Sequence, residues 1–312
     1  MTEKVIKNLK KIDLHRHIEG SVSPGAIFKL CQKDNRNKKM LSYFEKEMVL
    51  KKRAKSLDEF IKKLGTRFLK EYISTPEDLV FVFRDAAEAA AADNVSYLEL
   101  RFALSNFLHL GDPVSLVKAI SQATKIKLVL TLKRDDDKSI NFEVLKAAKK
   151  LYKSGDIVGV DLAGNEHFYP NQLFIPLARE IKKAGLPFTV HAGEVTDARS
   201  VETAVNLLGA DRIGHGTKAA QDEKVMNLLV RKNVLLEVCP TSNLDTSAYK
   251  SYQEIPIRTL LDAKVPILIC TDDPVTSGIT LSWEVKNLID RKIISLGEYQ
   301  KMLKNAKKYT FN

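Results

Sequence analysis

Six histidines are spread over the 312 residues, and four of them stand where they could act together. His15 and His17 are two apart, so on a strand both imidazoles leave the same face and can reach one metal ion without distorting the backbone. An isolated His-x-His pair serves packing as readily as chelation. With His191 as a third imidazole and a carboxylate from Asp272 or Asp273, however, the set suits zinc, while imidazole sites also accept iron, cobalt or nickel. A catalytic zinc keeps one position open for a water, which it acidifies. Glu194 follows His191 by three residues. It can shuttle protons between such a water and a substrate nitrogen, or it can simply be an acid at a helix start. His215 lies between Gly214 and Gly216, where the chain can turn sharply, and reads as a catalytic imidazole or a core histidine. Asp272 and Asp273 follow the apolar run VPILIC. A carboxylate pair there is costly unless a metal or hydrogen bonds compensate it, so one Asp is expected on the metal and the other facing substrate, with a cap role as the alternative.

These residues fall at the ends of apolar runs. The runs are KIDLHRH (11–17), VSYLELRF (95–102), KIKLVLTL (125–132), DIVGVDLA (156–163), LPFTVHA (186–192), DRIGH (211–215), NVLLEVCP (233–240) and VPILICTD (265–272). They alternate with helical stretches, as strands buried on both faces of a parallel sheet do. Eight strand–helix units predict an α/β fold, a (β/α)8 TIM barrel, in which catalytic groups collect at the C-terminal strand ends. Residues 18–94 are too long for a bare loop and predict a helical insertion after the first strand, a candidate lid over the site. Ser23-Pro24 and Thr75-Pro76 are helix-start signals, and Ser56 with Glu59 has capping-box spacing. No repeat or linker divides residues 1–312, which predicts a single barrel domain.

The composition, 44% hydrophobic with 14 Gly and 10 Pro, excludes collagen-like and disordered classes. Cys31, Cys239 and Cys270 form no CxxC pair, so a disulfide framework is not expected and a cytoplasmic location is. No apolar stretch approaches the roughly 20 residues that span a bilayer. The excess of 50 Lys+Arg over 39 Asp+Glu, a formal charge of +11, invites a nucleic-acid partner. The basic residues are nevertheless mixed with acids in amphipathic segments such as 46–64, the pattern of solvated helix faces, and no RNP-like, zinc-finger or KH pattern is present. Neither nucleic acid nor membrane is an expected partner, and the sequence carries no signal for an oligomeric state.

The chain strongly resembles the adenosine deaminase family of metal-dependent adenosine and adenine deaminases in the amidohydrolase superfamily. The resemblance is carried, in family order, by DLHRHIEGS (13–21), GVDLAGNE (159–166), TVHAGE (189–194), RIGHGT (212–217), EVCPTSN (237–243) and CTDDP (270–274). It implies the same barrel, with one Zn2+ per chain held by His15, His17, His191 and Asp272. It further implies Glu194 as proton shuttle, His215 as the residue that orients and polarises the nucleophile, and Asp273 at purine N7. The Gly164 N–H would meet N3, while His17 and Glu19 would contact substrate. The implied reaction is zinc-hydroxide attack on purine C6, converting adenosine, and 2′-deoxyadenosine with it, to inosine and ammonia.

Two departures bear on the substrate. Glu19 stands where adenosine deaminases commonly have Asp, at a position associated with the ribose 5′-hydroxyl, and adenine-specific relatives often have Glu there. Ala103 replaces a frequent Ser. GVDLAGNE, by contrast, follows the adenosine-type pattern. Adenine, or a 5′-modified adenosine of the aminodeoxyfutalosine kind, is therefore the alternative substrate. Among other hydrolases of the superfamily, many two-metal members use a modified Lys at the fourth strand end, and Asp161-Leu162-Ala163-Gly164 holds none. The H-x-E…P-C-x-x-C signature of cytidine-type deaminases is also absent. A non-catalytic nucleoside-binding or nucleic-acid-binding barrel would leave the metal-ligand pattern without a purpose. His109 and His167 are set aside, the latter as at most a residue of the pocket rim.

Overall fold

The computed structural model describes residues 2–33, 39–63, 65–124 and 126–311. Eight strands run in the order expected, each parallel to the next: β1 (Lys11–His17), β2 (Val95–Phe102), β3 (Lys127–Lys133), β4 (Gly159–Ala163), β5 (Phe188–Ala192), β6 (Arg212–His215), β7 (Leu235–Val238) and β8 (Ile267–Ile269). The later strands are shorter than the apolar runs that announce them, because the flanking apolar residues pack in loops and helix starts; Lys125 lies outside the described residues. Every residue of β4 to β8 is buried, as expected for strands covered by helices on one side and by a filled barrel on the other.

The sheet closes between β8 and β1 by an isolated bridge of Arg16 with Asp272. The backbone hydrogen bonds across this seam, among the described residues, run from Asp272 N to His15 O (2.8 Å) and from His17 N to Asp272 O (2.8 Å).

Between β1 and β2 lie a 3-10 turn (Ile18–Gly20) and helices Pro24–Lys33, Leu41–Glu47, Leu57–Lys63, Thr66–Tyr72 and Pro76–Ala92. Residues 34–38 and 64 of the expected insertion fall outside the described set. Ser23 and Thr75 cap their helices as predicted, accepting from Ala26 N (3.1 Å) and Asp78 N (3.2 Å). Ser56 accepts from Glu59 N (3.3 Å), but the Glu59 carboxylate reaches back to Lys55 N (2.8 Å), one residue earlier than a capping box requires. Helix Leu57–Lys63 packs through Leu57 and Phe60 on Ala54, Leu50 and Val195, a small apolar cluster separate from the main core.

The lower barrel interior departs from the usual aliphatic filling. Glu99, Arg212, Glu237, Arg101 and Asp161 form an alternating chain of charges, all 0–1% exposed. Arg212 pairs with Glu99 and, through Nε, with Glu237 (2.7 Å); Arg101 pairs with Glu237 and with Asp161 (3.3 Å). Such buried ions are tolerated because each meets its opposite. Phe311 covers the chain from below, its ring centroid 3.5 Å from the Arg212 guanidinium carbon and its N–H on Glu99 (2.9 Å).

Candidate active site

Each motif residue lies at the C-terminal end of its strand or just beyond it. His15 and His17 end β1, His191 lies near the end of β5, His215 ends β6, and Asp272 and Asp273 follow β8. Gly214 makes the assembly possible: a Cβ there would stand 2.7 Å from the His15 ring. His215 (φ 59°) and Asp272 (φ 63°) adopt the left-handed conformation that non-glycine residues seldom take, a strain of the kind that clusters at functional sites. That turn at Asp272 re-aims the chain, so both acids of the pair enter the same cavity despite being neighbours.

Among the described residues two overlapping sets could hold a metal: His15, His191, His215 and Asp272, and His17, Asp161 and His191. Their hydrogen bonds sort the members. Glu237 holds His15 Nδ1 at 2.8 Å and Asp161 holds His191 Nδ1 at 3.0 Å, so those nitrogens carry the protons and the Nε2 lone pairs are left to the histidine–aspartate cluster. His191 and His17 meet Nε2 to Nε2 at 3.2 Å. His15 Nε2 is buried without a hydrogen-bond partner, and Asp272 Oδ1 lies 3.4 Å from it and 3.5 Å from His17 Nε2. Lone pairs converging on one carboxylate oxygen are a cation's environment, and three imidazoles with one carboxylate are a donor set zinc accepts.

His215 is different. The Asn243 amide donates to its Nδ1 (3.1 Å), which leaves the proton on Nε2 and makes that atom a donor toward Asp272 Oδ2 (3.7 Å) and Glu194 Oε2 (3.8 Å) rather than a ligand. Burial, with the neighbouring imidazoles, holds the ring well below its usual pKa, so it is neutral. Burial likewise pushes His17 down to about 3. Two carboxyls move the other way. Glu194 is raised well above the carboxylate range, first by burial and then by Asp272 and Glu166; Asp273 is raised by burial and by Asp272, Glu19 and Glu194. Crowded acids beside one ionised Asp272 thus favour protonated Glu194 and Asp273, which can donate hydrogen bonds.

The groups open onto one cavity of about 460 Å³, within the range of small-molecule sites. His17, His191, Glu194, His215, Asp272 and Asp273 line it, with Gly164, Asn165, Phe168 and Tyr169. The insertion contributes Leu57, Phe60 and Ile61. Glu19, expected at the site, is there: Oε1 accepts from Ala103 N (3.2 Å), Oε2 has no partner, and burial pushes its pKa up to about 7. Lys70 and Lys133 line the cavity too and act electrostatically on Glu19. His167 is exposed and leaves the rim to Phe168 and Tyr169. Several participants went unnoticed in the sequence. Glu237 and Asp161 were visible as acids inside strands, a costly placement that could have flagged them; Asn243 and the pocket lysines had no comparable signal.

A parallel (β/α)8 barrel with a histidine–aspartate cluster at its C-terminal mouth is an arrangement that could hold a metal ion for hydrolytic chemistry. A family profile described as Adenosine deaminase matches residues 10–312. An adenosine deaminase of Clostridium kluyveri is 33% identical over 322 residues, 99% of this chain and 91% of that one. Among solved structures, the fold resembles an adenine deaminase from Arthrobacter aurescens (TM-score 0.84, 24% identity, 97% and 94% of the two chains). It resembles equally an Arabidopsis N6-mAMP deaminase (TM-score 0.85, 24% identity, 99% and 95%). The chain belongs to the adenosine deaminase family and is a hydrolytic deaminase. No helix among the described residues is long and apolar enough to cross a membrane.

Proposed function

We propose that the protein catalyses the zinc-dependent hydrolytic deamination of adenosine, and of 2′-deoxyadenosine, to inosine and ammonia. The observation that carries this is the clustering of the Nε2 atoms of His15, His17 and His191 around Asp272, with Glu194 and the His215 Nε2–H beside them, where His17, His191, Glu194, His215 and Asp272 line one cavity. His15, His17, His191 and Asp272 would hold one zinc ion. Zinc bound there lowers the pKa of a water, so a nucleophile is available at neutral pH.

The remaining steps belong to the chain's own groups. Protonated Glu194 donates to purine N1, which breaks ring conjugation and leaves C6 electron-poor. The water oxygen adds to C6 as that carbon becomes tetrahedral, with the His215 Nε2–H donating to the incoming oxygen. Asp273, protonated in its crowded setting, donates to the N7 lone pair, and the Gly164 N–H meets N3. Glu194 then carries the water's proton to the exocyclic nitrogen, ammonia leaves, and a 6-oxopurine remains. The tetrahedral species is the one these groups fit best. Helix Leu57–Lys63, held by its small separate cluster and lining the cavity, serves as a lid that excludes water.

A second substrate has support of its own. The unpartnered Glu19 Oε2, with Lys70, Lys133, Asp58 and Asp135 lining the same cavity, offers a polar recess that a 5′-modified adenosine could fill. Turnover of adenosine, 2′-deoxyadenosine, adenine, AMP and 5′-modified adenosines separates these cases. Adenosine is expected to have the highest kcat/KM, and a preference for adenine or a 5′-modified nucleoside overturns that choice. Glu194→Gln is expected to keep its zinc and lose at least about 10²-fold in turnover, the scale of one acid–base group. Near-normal turnover sinks the proton-shuttle role.

A further inference from the structure

Four polar side chains that the proposed chemistry leaves idle, three of them buried and Ser200 half-buried, close a ring behind the end of β5. Arg134 donates through Nη2 to His191 O (2.7 Å) and Asn171 Oδ1 (2.7 Å), and through Nη1 to Tyr169 O (2.8 Å). Asn171 Nδ2 donates to Ser200 O (2.8 Å) and Oγ (3.2 Å), and Ser200 Oγ donates to Glu166 Oε2 (2.5 Å). Glu166 in turn accepts the backbone N–H of Gly193 (2.9 Å) on Oε2, and those of Glu194 (2.8 Å), Val195 (2.9 Å) and Thr196 (3.3 Å) on Oε1. Arg134, Asn171 and Glu166 are 2–3% exposed, and none of them lines the cavity.

Residues 193–197 belong to no helix or strand, so their N–H groups have no ladder partners. A single carboxylate supplies acceptors for four consecutive donors, one of them the N–H of Glu194 itself. The same ring grips the His191 carbonyl from the other side, so the segment carrying a proposed ligand and the proposed proton donor is pinned at both ends. A misplacement of about 1 Å can cost about 10²-fold in rate, so such pinning has kinetic consequences.

We propose that Glu166, backed by Ser200, Asn171 and Arg134, is a positioning residue that sets Glu194 over the cavity and acts on turnover through it. This rests on Glu194 being the proton donor. In the metal-loaded protein, Glu166→Gln keeps the side chain's size but exchanges an acceptor for a donor. It is expected to lower kcat at least about tenfold with KM within about threefold, because the substrate contacts are untouched. In a Glu194→Gln background the same substitution is expected to cost less than about twofold, since the group it positions is already gone. An unchanged kcat in the single variant, or an equal loss in both backgrounds, overturns the proposal while leaving the shuttle intact. An unimpaired Glu194→Gln enzyme overturns both. Should Glu166→Gln fail to fold, as a thermal melt would show, Ser200→Ala withdraws one hydroxyl from the ring. It is expected to lower kcat at least about twofold, with the loss vanishing beside Glu194→Gln; no loss, or a fully additive one, counts against the proposal.

Discussion

At the scale of single residues, the site is governed by which ring nitrogen carries a proton. His15 and His191 each have a carboxylate on Nδ1, whereas His215 has an amide donor there, so three chemically identical side chains become two acceptors and one donor. Glu237 is itself held below the usual carboxylate range: Arg101 and Arg212 overcome the burial that would raise it. Glu237→Gln would let its amide offer a donor to His15 Nδ1 and turn the ring's proton toward the cavity. The expected result is a 10–100-fold loss of zinc affinity, the usual effect of removing a carboxylate behind a metal-bound histidine, read by competition with a chelator. Zinc affinity equal to that of the unaltered protein would show that the ring is oriented by its packing alone.

At the scale of elements, the loop after β5 carries the heaviest constraint. Gly193 has φ 63°, and a Cβ there would lie 2.5 Å from Val201 Cγ2. Gly193→Ala therefore combines backbone strain with a clash, and a loss of about 1–3 kcal/mol is expected in denaturant unfolding. Val201→Ala added to it should recover part of that loss, and no recovery would place the cost in the backbone alone. This loop also marks where sequence reasoning stops. Strand number, strand order and the residues at the strand ends were legible, because apolar runs and polar punctuation are local signals. His15, His17, His191, His215, Asp272 and Asp273 were legible for the same reason. Arg134, Asn171, Ser200 and Glu166 were not, since their ring joins four segments that only the barrel brings together. The left-handed turn at Asp272 was equally hidden, because aspartate gives no advance notice of a positive φ.

At the scale of the whole molecule, the basic residues fall in distinct places. Most lie on outer helices, often paired with an acid one turn away, as Lys7 is with Glu3 and Lys62 with Asp58. Those pairs are exposed and contribute little. Others are not: Arg101, Arg134 and Arg212 are buried, and Lys70 and Lys133 line the cavity together with Asp58 and Asp135.

The barrel is a ring of staves with one loose joint, and the joint falls at the chemistry. Seven neighbouring strand pairs are laced by ladders, that of β1 and β2 with two register shifts, while the backbones of β8 and β1 meet through the bridge of Arg16 with Asp272 and the two hydrogen bonds beside it. His15 and His17 stand on one side of that joint and Asp272 on the other, so an ion bound to all three is also a rivet through the hoop. Stripping the metal should therefore loosen the cask at this place first. Amide hydrogen exchange is expected to quicken at His17 and Asp272 on chelation while β3 stays protected. Uniform quickening around the ring would show instead that the hoop holds without its rivet.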